Sequence, residues 1–361
     1  MIVLGSTGSI GVNTLFIAQK YNLKIDILSA GYNAVLLNKQ LEYFNPRVVV
    51  VASQEVAQKI KHSNVKYGQE ALLEEMERSE SELVVNAFVG FLGLAPTLRA
   101  IELGKKVALA NKESLVIAGK FINMSKITPI DSEHYSLQCI LDKQKTVQKV
   151  FVTASGGALR DRPIGHMNSV SIQDVLAHPN WSMGNKITVD SATMCNKLFE
   201  LMEAKWLFEA PEYDAVIETS SSVHAMVEYA DGSLVAHLAC PDMKLPIACA
   251  ILGDTKERMI PRIDPLQLGN LSFRPINKER YPIWELKDFM LNHLDLGVVL
   301  NASNEIAVHK FLTSQIAYQD IFPVIKKTMK YFQDIKINCV EDLFTIDVQV
   351  REYANIQKGS L

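Results

Sequence analysis

The sequence predicts an α/β protein with an N-terminal doubly wound parallel sheet, a following α+β region with a largely antiparallel sheet, and a helical C-terminal region. Short apolar runs rich in β-forming residues alternate with helical stretches up to about residue 130. Later runs are joined through Asp231-Gly232, a dipeptide typical of tight antiparallel hairpins. From 284 to 332 the apolar residues follow helical spacing. Because 361 residues exceed the roughly 250 at which a single core stops growing, we expect more than one domain.

The individual elements follow from these patterns in chain order. Parallel strands are predicted at Met1–Leu4, Ile25–Leu28, Val48–Val51, Leu83–Asn86 and Lys106–Ala110. Strands of the second sheet are predicted at Lys149–Val152, Val223–Ala230 and Leu234–Ala239, and a helix is predicted from Asp190 to Phe208. Irregular, proline-bearing sequence predicts a linker over 258–283. The predicted divisions are therefore 1–130, 131–257, this linker, and a C-terminal helical domain over 284–361.

Composition excludes several classes of protein. A net charge of -3 and a pI of about 6.3 provide no basic field for nucleic acid or an anionic membrane. The cysteines lack C-x-x-C spacing, which argues against a disulfide framework and a thiolate zinc site. No apolar run reaches the roughly 18 residues of a membrane span, and the chain opens without the pattern of a signal peptide. We therefore expect a cytoplasmic protein that binds neither nucleic acid nor membranes.

A glycine run at the N-terminus predicts nucleotide binding. Gly5, Gly8 and Gly11 form G-x-x-G-x-x-G between the first strand and an apolar helix, where glycines permit a tight turn and close approach of a phosphate. The alternative is a purely structural turn. No acid follows the second strand over 29–33, where an NAD enzyme offers Asp or Glu to the ribose, so NADPH is favoured over NADH. The first part of the chain is thus predicted to be Rossmann-like.

Two groups of polar residues are candidate ligands for a cation. Asp131 and Glu133 are two residues apart, and in an extended chain they face the same way at roughly 7 Å. The alternative is a polar turn. On the helix predicted from Asp190, the residues Asn196, Lys197 and Glu200 share one face; the alternative there is a solvated face with a weak Lys–Glu pair.

Two loops add further candidates. Trp181 and Met183 lie in a stretch rich in turn formers, and apolar groups on a loop indicate a lid. Ser155, followed by two glycines after a predicted strand, could offer an oxyanion its hydroxyl and nearby N–H groups, although such a turn can also be purely structural.

In order and spacing, these segments resemble the 1-deoxy-D-xylulose 5-phosphate reductoisomerases. The likeness covers nearly the whole chain and rests on Gly5-Ser6-Thr7-Gly8-Ser9-Ile10-Gly11, Ala110-Asn111-Lys112-Glu113-Ser114, Asp131-Ser132-Glu133-His134, Ser155-Gly156-Gly157, His178-Pro179-Asn180-Trp181-Ser182-Met183-Gly184, Asp190-Ser191-Ala192-Thr193-Met194, Pro241-Asp242-Met243 and Asn301-Ala302-Ser303-Asn304-Glu305.

The resemblance implies an activity and an assembly. The activity is NADPH-dependent isomerisation and reduction of 1-deoxy-D-xylulose 5-phosphate to 2-C-methyl-D-erythritol 4-phosphate, the committed step of the non-mevalonate route to isoprenoid precursors. It implies an NADPH-binding domain over 1–130, a catalytic, metal-binding and dimerisation domain over 131–257, and a homodimer.

The resemblance also implies roles for residues. The ligands of Mn²⁺ or Mg²⁺ are expected to be Asp131, Glu133 and Glu200. Residues expected to hold the phosphorylated sugar are Lys112, Ser132, Glu133, Ser155, His178, Ser191, Asn196, Lys197 and Glu200. Residues expected to face NADPH are Thr7, Gly8, Ser9, Ile10, Gly31, Tyr32, Asn33, Asn111, Glu113 and Gly184, and the flap is expected to carry Trp181 and Met183.

The chain departs from the family pattern at two places. Tyr32 stands where the family often has a basic residue, and Glu218-Thr219-Ser220-Ser221 replaces the common His-Pro-Gln-Ser. Two other functions remain open: a semialdehyde or hydroxy-acid dehydrogenase, whose thiol-dependent form would use Cys139 or Cys195, and an NADPH-sensing module without chemistry. The trio of acids argues against the sensor, which has no need of a metal.

Overall fold

A computed structural model describes residues 1–181 and 183–357. Its strands are β1 (Ile2–Leu4), β2 (Ile27–Ala30), β3 (Val48–Val51), β4 (Val65–Tyr67), β5 (Leu83–Asn86), β6 (Lys106–Leu109), β7 (Ile127–Pro129), β8 (Val147–Ala154), β9 (Glu212–Glu218), β10 (Val223–Tyr229), β11 (Leu234–Leu238) and β12 (Phe273–Arg274).

Helices connect and cover these strands. They are α1 (Ser9–Lys20), α2 (Ala34–Leu41), α3 (Gln54–Ala57), α4 (Gln69–Arg78), α5 (Leu94–Glu102), α6 (Lys112–Ala118), α7 (Ser132–Ile140), α8 (Ile172–Leu176), α9 (Asn185–Thr193), α10 (Cys195–Leu207), α11 (Lys244–Leu252), α12 (Lys287–Asn292), α13 (Gly297–Leu312), α14 (Ile321–Tyr331) and α15 (Val340–Ile356). None of the helices in the described part of the chain is long and apolar enough to cross a membrane.

The chain divides into two compact units. Unit 1 contains Met1–Ser114, Ile122–Ser132 and Asp242–Pro261. Unit 2 contains Leu115–Phe121, Glu133–Pro241 and Arg262–Leu361.

Unit 1 is built on one parallel sheet of order β4-β3-β2-β1-β5-β6-β7. The chain winds outward from β1 in both directions, so the topological switch lies between β1 and β5, and ligands of such sheets bind beyond the carboxyl ends of strands at that point. The predicted doubly wound sheet is confirmed. The pattern did not predict β4 and β7, and β2 lies two residues later than predicted.

The core of unit 1 lies on both faces of this sheet. One face carries two clusters, of which one includes Val3 and Leu28 and the other joins Val85 to Ile247 of α11. Ile2, which points to the opposite face, is also fully buried. Because strands covered on both faces need no polar side, their sequences read as continuous apolar runs, as in the four consecutive valines of β3.

Unit 2 contains a mixed sheet of order β11-β10-β8-β9-β12. Only β8 and β9 pair in parallel among these neighbours, so the sheet is largely antiparallel, as predicted. The β10–β11 hairpin turns at Gly232, whose φ of 81° is a conformation that glycine adopts without strain. The C-terminal helices surround α13, which is buried along most of its length.

Two local predictions were wrong. The helix predicted from Asp190 to Phe208 is two helices, α9 and α10, separated by Met194 in the left-handed conformation with φ of 72°. Met194 is buried, so packing compensates for the backbone strain that periodicity does not reveal. Asp131 and Glu133 do not lie in an extended segment, because α7 begins at Ser132 and places Glu133 in its first turn.

Candidate active site

The predicted nucleotide turn lies in unit 1 between β1 and α1. The N–H groups of Gly5 and Ser6 donate to the Ser29 carbonyl at 2.9 and 2.8 Å, which ties the turn to the end of β2. A Cβ on Gly11 would lie 2.2 Å from the Gly5 carbonyl oxygen, so only glycine fits there. Gly8 is the N-cap of α1 and forms no side-chain cap. The first N–H groups of α1 are therefore available for a phosphate.

Other predicted cofactor residues of unit 1 lie near the same edge of the sheet. Asn33 caps α2, its side chain accepting from Leu36 N–H at 3.0 Å, whereas the Tyr32 side chain is 79% exposed and contributes little to the core. Asn111 is fully buried, and its amide donates to the carbonyls of Phe88 and Gly90 at 3.1 and 2.9 Å. Asn111 therefore shapes the loop that follows β5.

Lys112 and Asp131 form a buried ion pair in unit 1. The Lys112 Nζ lies 2.7 Å from Asp131 Oδ2, and the two side chains are 9% and 11% exposed. Asp131 thus already holds a cation, in the form of a lysine ammonium, immediately before α7.

In unit 2, α7 and α10 bring Glu133 and Glu200 together. Each offers a carboxylate oxygen, and these atoms lie within 4.8 Å of one another. The ammonium of Lys197 contacts both acids, at 2.7 Å from Glu133 Oε1 and by a hydrogen bond to Glu200. Asn196 donates to the other oxygen of Glu200 at 2.5 Å. The Lys197 ammonium thus lies between carboxylate oxygens. Hard divalent cations bind in sites made of oxygen donors, so these acids fit the predicted metal.

His134, to which the sequence assigned no role, supports this pair of acids. Its side chain is fully buried, and its Nε2 lies 3.0 Å from the Glu200 carbonyl, which can only accept, so Nε2 carries a proton. Its Nδ1 lies 3.4 Å from Glu203. His134 thereby joins α7 to α10 and holds Glu133 beside Glu200. Its position directly after an acid was the only signal in the sequence.

The Ser155 hydroxyl is oriented by His178. The Nδ1 of His178 accepts from the N–H groups of Asn180 and Trp181 at 3.2 and 3.0 Å, so the ring proton is on Nε2 and is donated to Ser155 Oγ at 2.9 Å. Burial, with a smaller effect from the Arg160 charge, lowers the pKa of His178 to about 4, so the ring is neutral at pH 7.

Because Ser155 Oγ accepts from His178 and also from Gly157 N–H at 3.1 Å, its own hydrogen is left to be donated. The hydroxyl is thus a hydrogen-bond donor suited to an oxyanion. Arg160, which sequence reasoning missed, donates to the Ser155 carbonyl at 2.8 Å and to the Thr219 carbonyl at 2.9 Å. Its place five residues after Ser155 carries no recognisable signal.

The base of the predicted flap is anchored to the segment that departs from the family pattern. The Asn180 amide donates to Thr219 O at 2.9 Å and to Ser221 Oγ at 2.7 Å. Glu218 accepts from the N–H groups of Ser220 and Ser222 at 2.8 and 2.9 Å, which holds this turn in place. The residues of this departing segment therefore hold the base of the predicted flap through the Asn180 side chain. Trp181 and Met183 are half-buried, and Ser182 lies outside the described residues.

Ser191 lies in α9 next to the Ser155 loop. A Cβ on Gly157 would lie 2.7 Å from Ala192 Cα, so glycine allows backbone to pack directly on backbone. Gly184 is the N-cap of α9, which connects the flap to Ser191. Unit 2 thus brings together Ser155, His178, Ser191, Asn196, Lys197 and the two acids on neighbouring elements.

Comparison with known proteins gives the same family along the whole chain. Residues 1–119 match the 1-deoxy-D-xylulose 5-phosphate reductoisomerase profile, residues 127–208 match its C-terminal domain, and residues 238–353 match the DXP reductoisomerase C-terminal domain. The 1-deoxy-D-xylulose 5-phosphate reductoisomerase of Nautilia profundicola is 53% identical over 98% of each chain. That of Wolinella succinogenes is 48% identical and is matched over 98% of this chain and 99% of its own.

The chain belongs to the 1-deoxy-D-xylulose 5-phosphate reductoisomerase family. A crystal structure of DOX-P reductoisomerase in complex with NADPH, fosmidomycin and magnesium has a TM-score of 0.91 and 33% identity, covering 98% of this chain and 96% of that one. The enzyme from Zymomonas mobilis in complex with NADPH has a TM-score of 0.87 and 32% identity over 98% of this chain and 97% of that one.

Membership of this family makes the chain an NADP-dependent oxidoreductase and confirms the resemblance. It sets aside the dehydrogenase and the sensor. The roles of individual residues stay predictions.

Proposed function

We propose that this protein converts 1-deoxy-D-xylulose 5-phosphate to 2-C-methyl-D-erythritol 4-phosphate, using NADPH and a divalent cation. The observation that carries the proposal is the match over 98% of the chain to a reductoisomerase whose structure holds NADPH, fosmidomycin and magnesium. The buried acids, the oriented serine and the glycine turn of this chain are the groups that such a reaction needs.

The cation is proposed to bind Asp131, Glu133 and Glu200. Two observations support this assignment. All three proposed ligands are carboxylates, the donors that hard divalent cations prefer, and each already forms an ion pair with a lysine ammonium. When bound, Mg²⁺ or Mn²⁺ supplies a Lewis acid for the substrate's carbonyl and hydroxyl oxygens. Lys112 and Ser132 are proposed to contact the substrate beside it.

The substrate phosphate is proposed to bind among Ser155, Ser191, Asn196 and Lys197. The Ser155 hydroxyl donates, because both of its acceptor positions are used by His178 and Gly157. A phosphate held away from the reacting carbons provides binding energy that fixes the reactive end of the substrate. The Trp181/Met183 flap is proposed to close over the bound substrate and exclude water.

NADPH is proposed to bind the glycine turn of unit 1, with its pyrophosphate at the N-terminus of α1. Its other contacts are proposed to come from Gly31, Tyr32, Asn33, Asn111, Glu113 and Gly184. The protein is proposed to act as a homodimer in the cytoplasm. The domain divisions are proposed as the sequence predicts them: an NADPH-binding domain over 1–130, a catalytic, metal-binding and dimerisation domain over 131–257, a linker over 258–283 and a helical domain over 284–361.

The test is to mix purified protein with NADPH, 1-deoxy-D-xylulose 5-phosphate and Mn²⁺, and to follow NADPH absorbance with and without EDTA. Oxidation that requires both the substrate and the metal is the expected result. Folded protein that oxidises no NADPH with either Mn²⁺ or Mg²⁺ would contradict the proposal.

A further inference from the structure

Two short segments of unit 2 carry the serines proposed to hold the phosphate. One is the Ser155 loop, in which Gly156 and Gly157 adopt φ of 87° and 69°. The other is the last turn of α9, which contains Ser191. Neither is part of a strand, so the position of each hydroxyl depends on whatever fixes the backbone around it.

Buried side chains from much later in the chain bind the backbone of both segments. Tyr281 donates to the Gly156 carbonyl at 2.8 Å, and Tyr318 donates to the Ala192 carbonyl at 2.8 Å. The tyrosines are 1% and 8% exposed. Burial raises the pKa of Tyr281 to about 12 and also raises that of Tyr318, so both remain donors at neutral pH.

The contact from Tyr281 acts on the Ser155 hydroxyl through one peptide plane. The Gly156 carbonyl and the Gly157 N–H belong to the same planar peptide group, so fixing one fixes the other. Gly157 N–H donates to Ser155 Oγ at 3.1 Å. Tyr281 therefore sets the direction in which the Ser155 hydrogen is donated.

The contacts to α9 act on Ser191 from either side. The Ala192 carbonyl is in the last turn of α9, where carbonyls have no hydrogen-bond donor within the helix. The Tyr318 hydroxyl is the donor to this carbonyl. Asp190, 1% exposed, accepts from Asn304 Nδ2 at 2.8 Å and pairs with Lys186 at 2.8 Å. These bonds fix the rotation of α9 and hence the direction of Ser191.

We propose that Tyr281, Asn304 and Tyr318 are positioning residues that set the affinity of the site for the substrate phosphate. This role rests on the proposed function, because it takes Ser155 and Ser191 as phosphate ligands. The three residues touch backbone or Asp190, so they act on the phosphate only through the two segments.

The test uses Tyr281→Phe and Tyr318→Phe, each of which removes a donor with little change in volume, and Asn304→Ala, which removes the donor to Asp190 without adding volume at a fully buried position. The expected result is a rise of about two- to tenfold in the KM for the sugar phosphate and in the inhibition constant of inorganic phosphate, the range of one buried hydrogen bond. The KM for NADPH and kcat should stay within about twofold of wild type.

Tyr229→Phe is the matched control. Tyr229 is 2% exposed and donates to the Ile140 carbonyl at 2.5 Å, a bond of the same kind that touches neither segment. It should lower the melting temperature without changing the phosphate constants. The positioning role would be overturned if the KM for the sugar phosphate and the inhibition constant of inorganic phosphate were unchanged in all three variants. It would also be overturned if the KM for NADPH rose as much as the KM for the sugar phosphate.

Direct titration of the proteins with inorganic phosphate separates this inference from the proposed function. Wild-type protein that binds phosphate without turnover would contradict the proposed function, and the variants would still show weaker binding if the positioning role is right. Wild-type turnover together with unaltered phosphate binding in the variants would contradict the positioning role alone. Wild-type turnover without phosphate binding would overturn the positioning role alone, and wild-type protein with neither turnover nor phosphate binding would overturn both.

Discussion

Replacing Glu200 by Gln should abolish tight binding of the divalent cation while the fold survives. Glu200 accepts from Asn196 at 2.5 Å and from Lys197, and its side chain is 2% exposed. An amide of the same size keeps one acceptor and loses one charged hydrogen bond, which costs about 2 kcal/mol. Lys197 retains its ion pair with Glu133 at 2.7 Å, so the substitution does not leave a buried charge unpaired. A loss of this size is below the roughly 5–15 kcal/mol that folded proteins have.

The loss in metal affinity should be larger. A carboxylate and a divalent cation about 4 Å apart attract by about 8 kcal/mol at an effective dielectric constant of about 20, which is an upper bound. Even about 3 kcal/mol corresponds to more than a hundredfold in Kd. Mn²⁺ binding is measured by titration, and turnover by NADPH oxidation, both in Glu200→Gln. We expect a Kd at least about a hundredfold higher and most of the turnover lost at ordinary Mn²⁺ concentrations.

The matched control is Glu203→Gln. Glu203 lies one turn further along α10, is equally buried at 1%, and stands beside His134. Its substitution should leave the Kd for Mn²⁺ within about threefold of wild type, because a cation at Glu200 does not need it. Wild-type Mn²⁺ affinity in Glu200→Gln would refute the metal assignment. A greater loss in Glu203→Gln would move the cation to the His134 side of the helix.

Three further predictions concern the cation, the cofactor and pH. Lys197→Met should lower the stability of metal-free protein by about 3 kcal/mol, because the buried Glu200 and the partly exposed Glu133 lose their shared ammonium. Mg²⁺ should restore that stability, and equal melting temperatures for variant and wild type without metal would contradict this prediction. Gly11→Ala should abolish NADPH binding in a fluorescence titration, because its Cβ would lie 2.2 Å from a backbone oxygen, whereas Gly165→Ala, with nothing within 4 Å, should bind normally. Because the pKa of His178 is lowered from 6.5 to about 4, its neutral ring contributes stability that is complete above pH 6.5 and is lost as the pH falls towards 4. Thermal unfolding of His178→Gln should lack that part of the pH profile, and a profile identical to wild type would count against the buried neutral ring.

The fold could be predicted where local sequence decides it. The glycine run was recognisable because a tight turn needs glycine at fixed offsets, and the structure shows no space for a Cβ at Gly11. Buried parallel strands appear as continuous apolar runs, and β3 is four valines. The break between α9 and α10 could not be predicted, because Met194 adopts a left-handed conformation that only its packing supports.

The candidate site was predictable as a set of residues but not as a geometry. The order of the motifs identified the acids and the serines. It did not reveal that the Lys197 ammonium contacts Glu133, which lies 64 positions earlier in the chain. The bond from Tyr281 to Gly156 spans 125 positions, and no periodicity connects such partners. These contacts arise from how the elements pack, which a single sequence does not report.

The most direct test of the central claim is the identity of the product. Reduction alone would leave the methyl group on a carbon that bears hydrogen, so its proton NMR signal would be a doublet, whereas rearrangement before reduction places it on a carbon without hydrogen and gives a singlet. We predict that the product formed from 1-deoxy-D-xylulose 5-phosphate, NADPH and Mg²⁺ shows the methyl singlet, in an amount equal to the NADPH oxidised. A methyl doublet, or NADPH oxidation without a new methyl signal, would contradict the account.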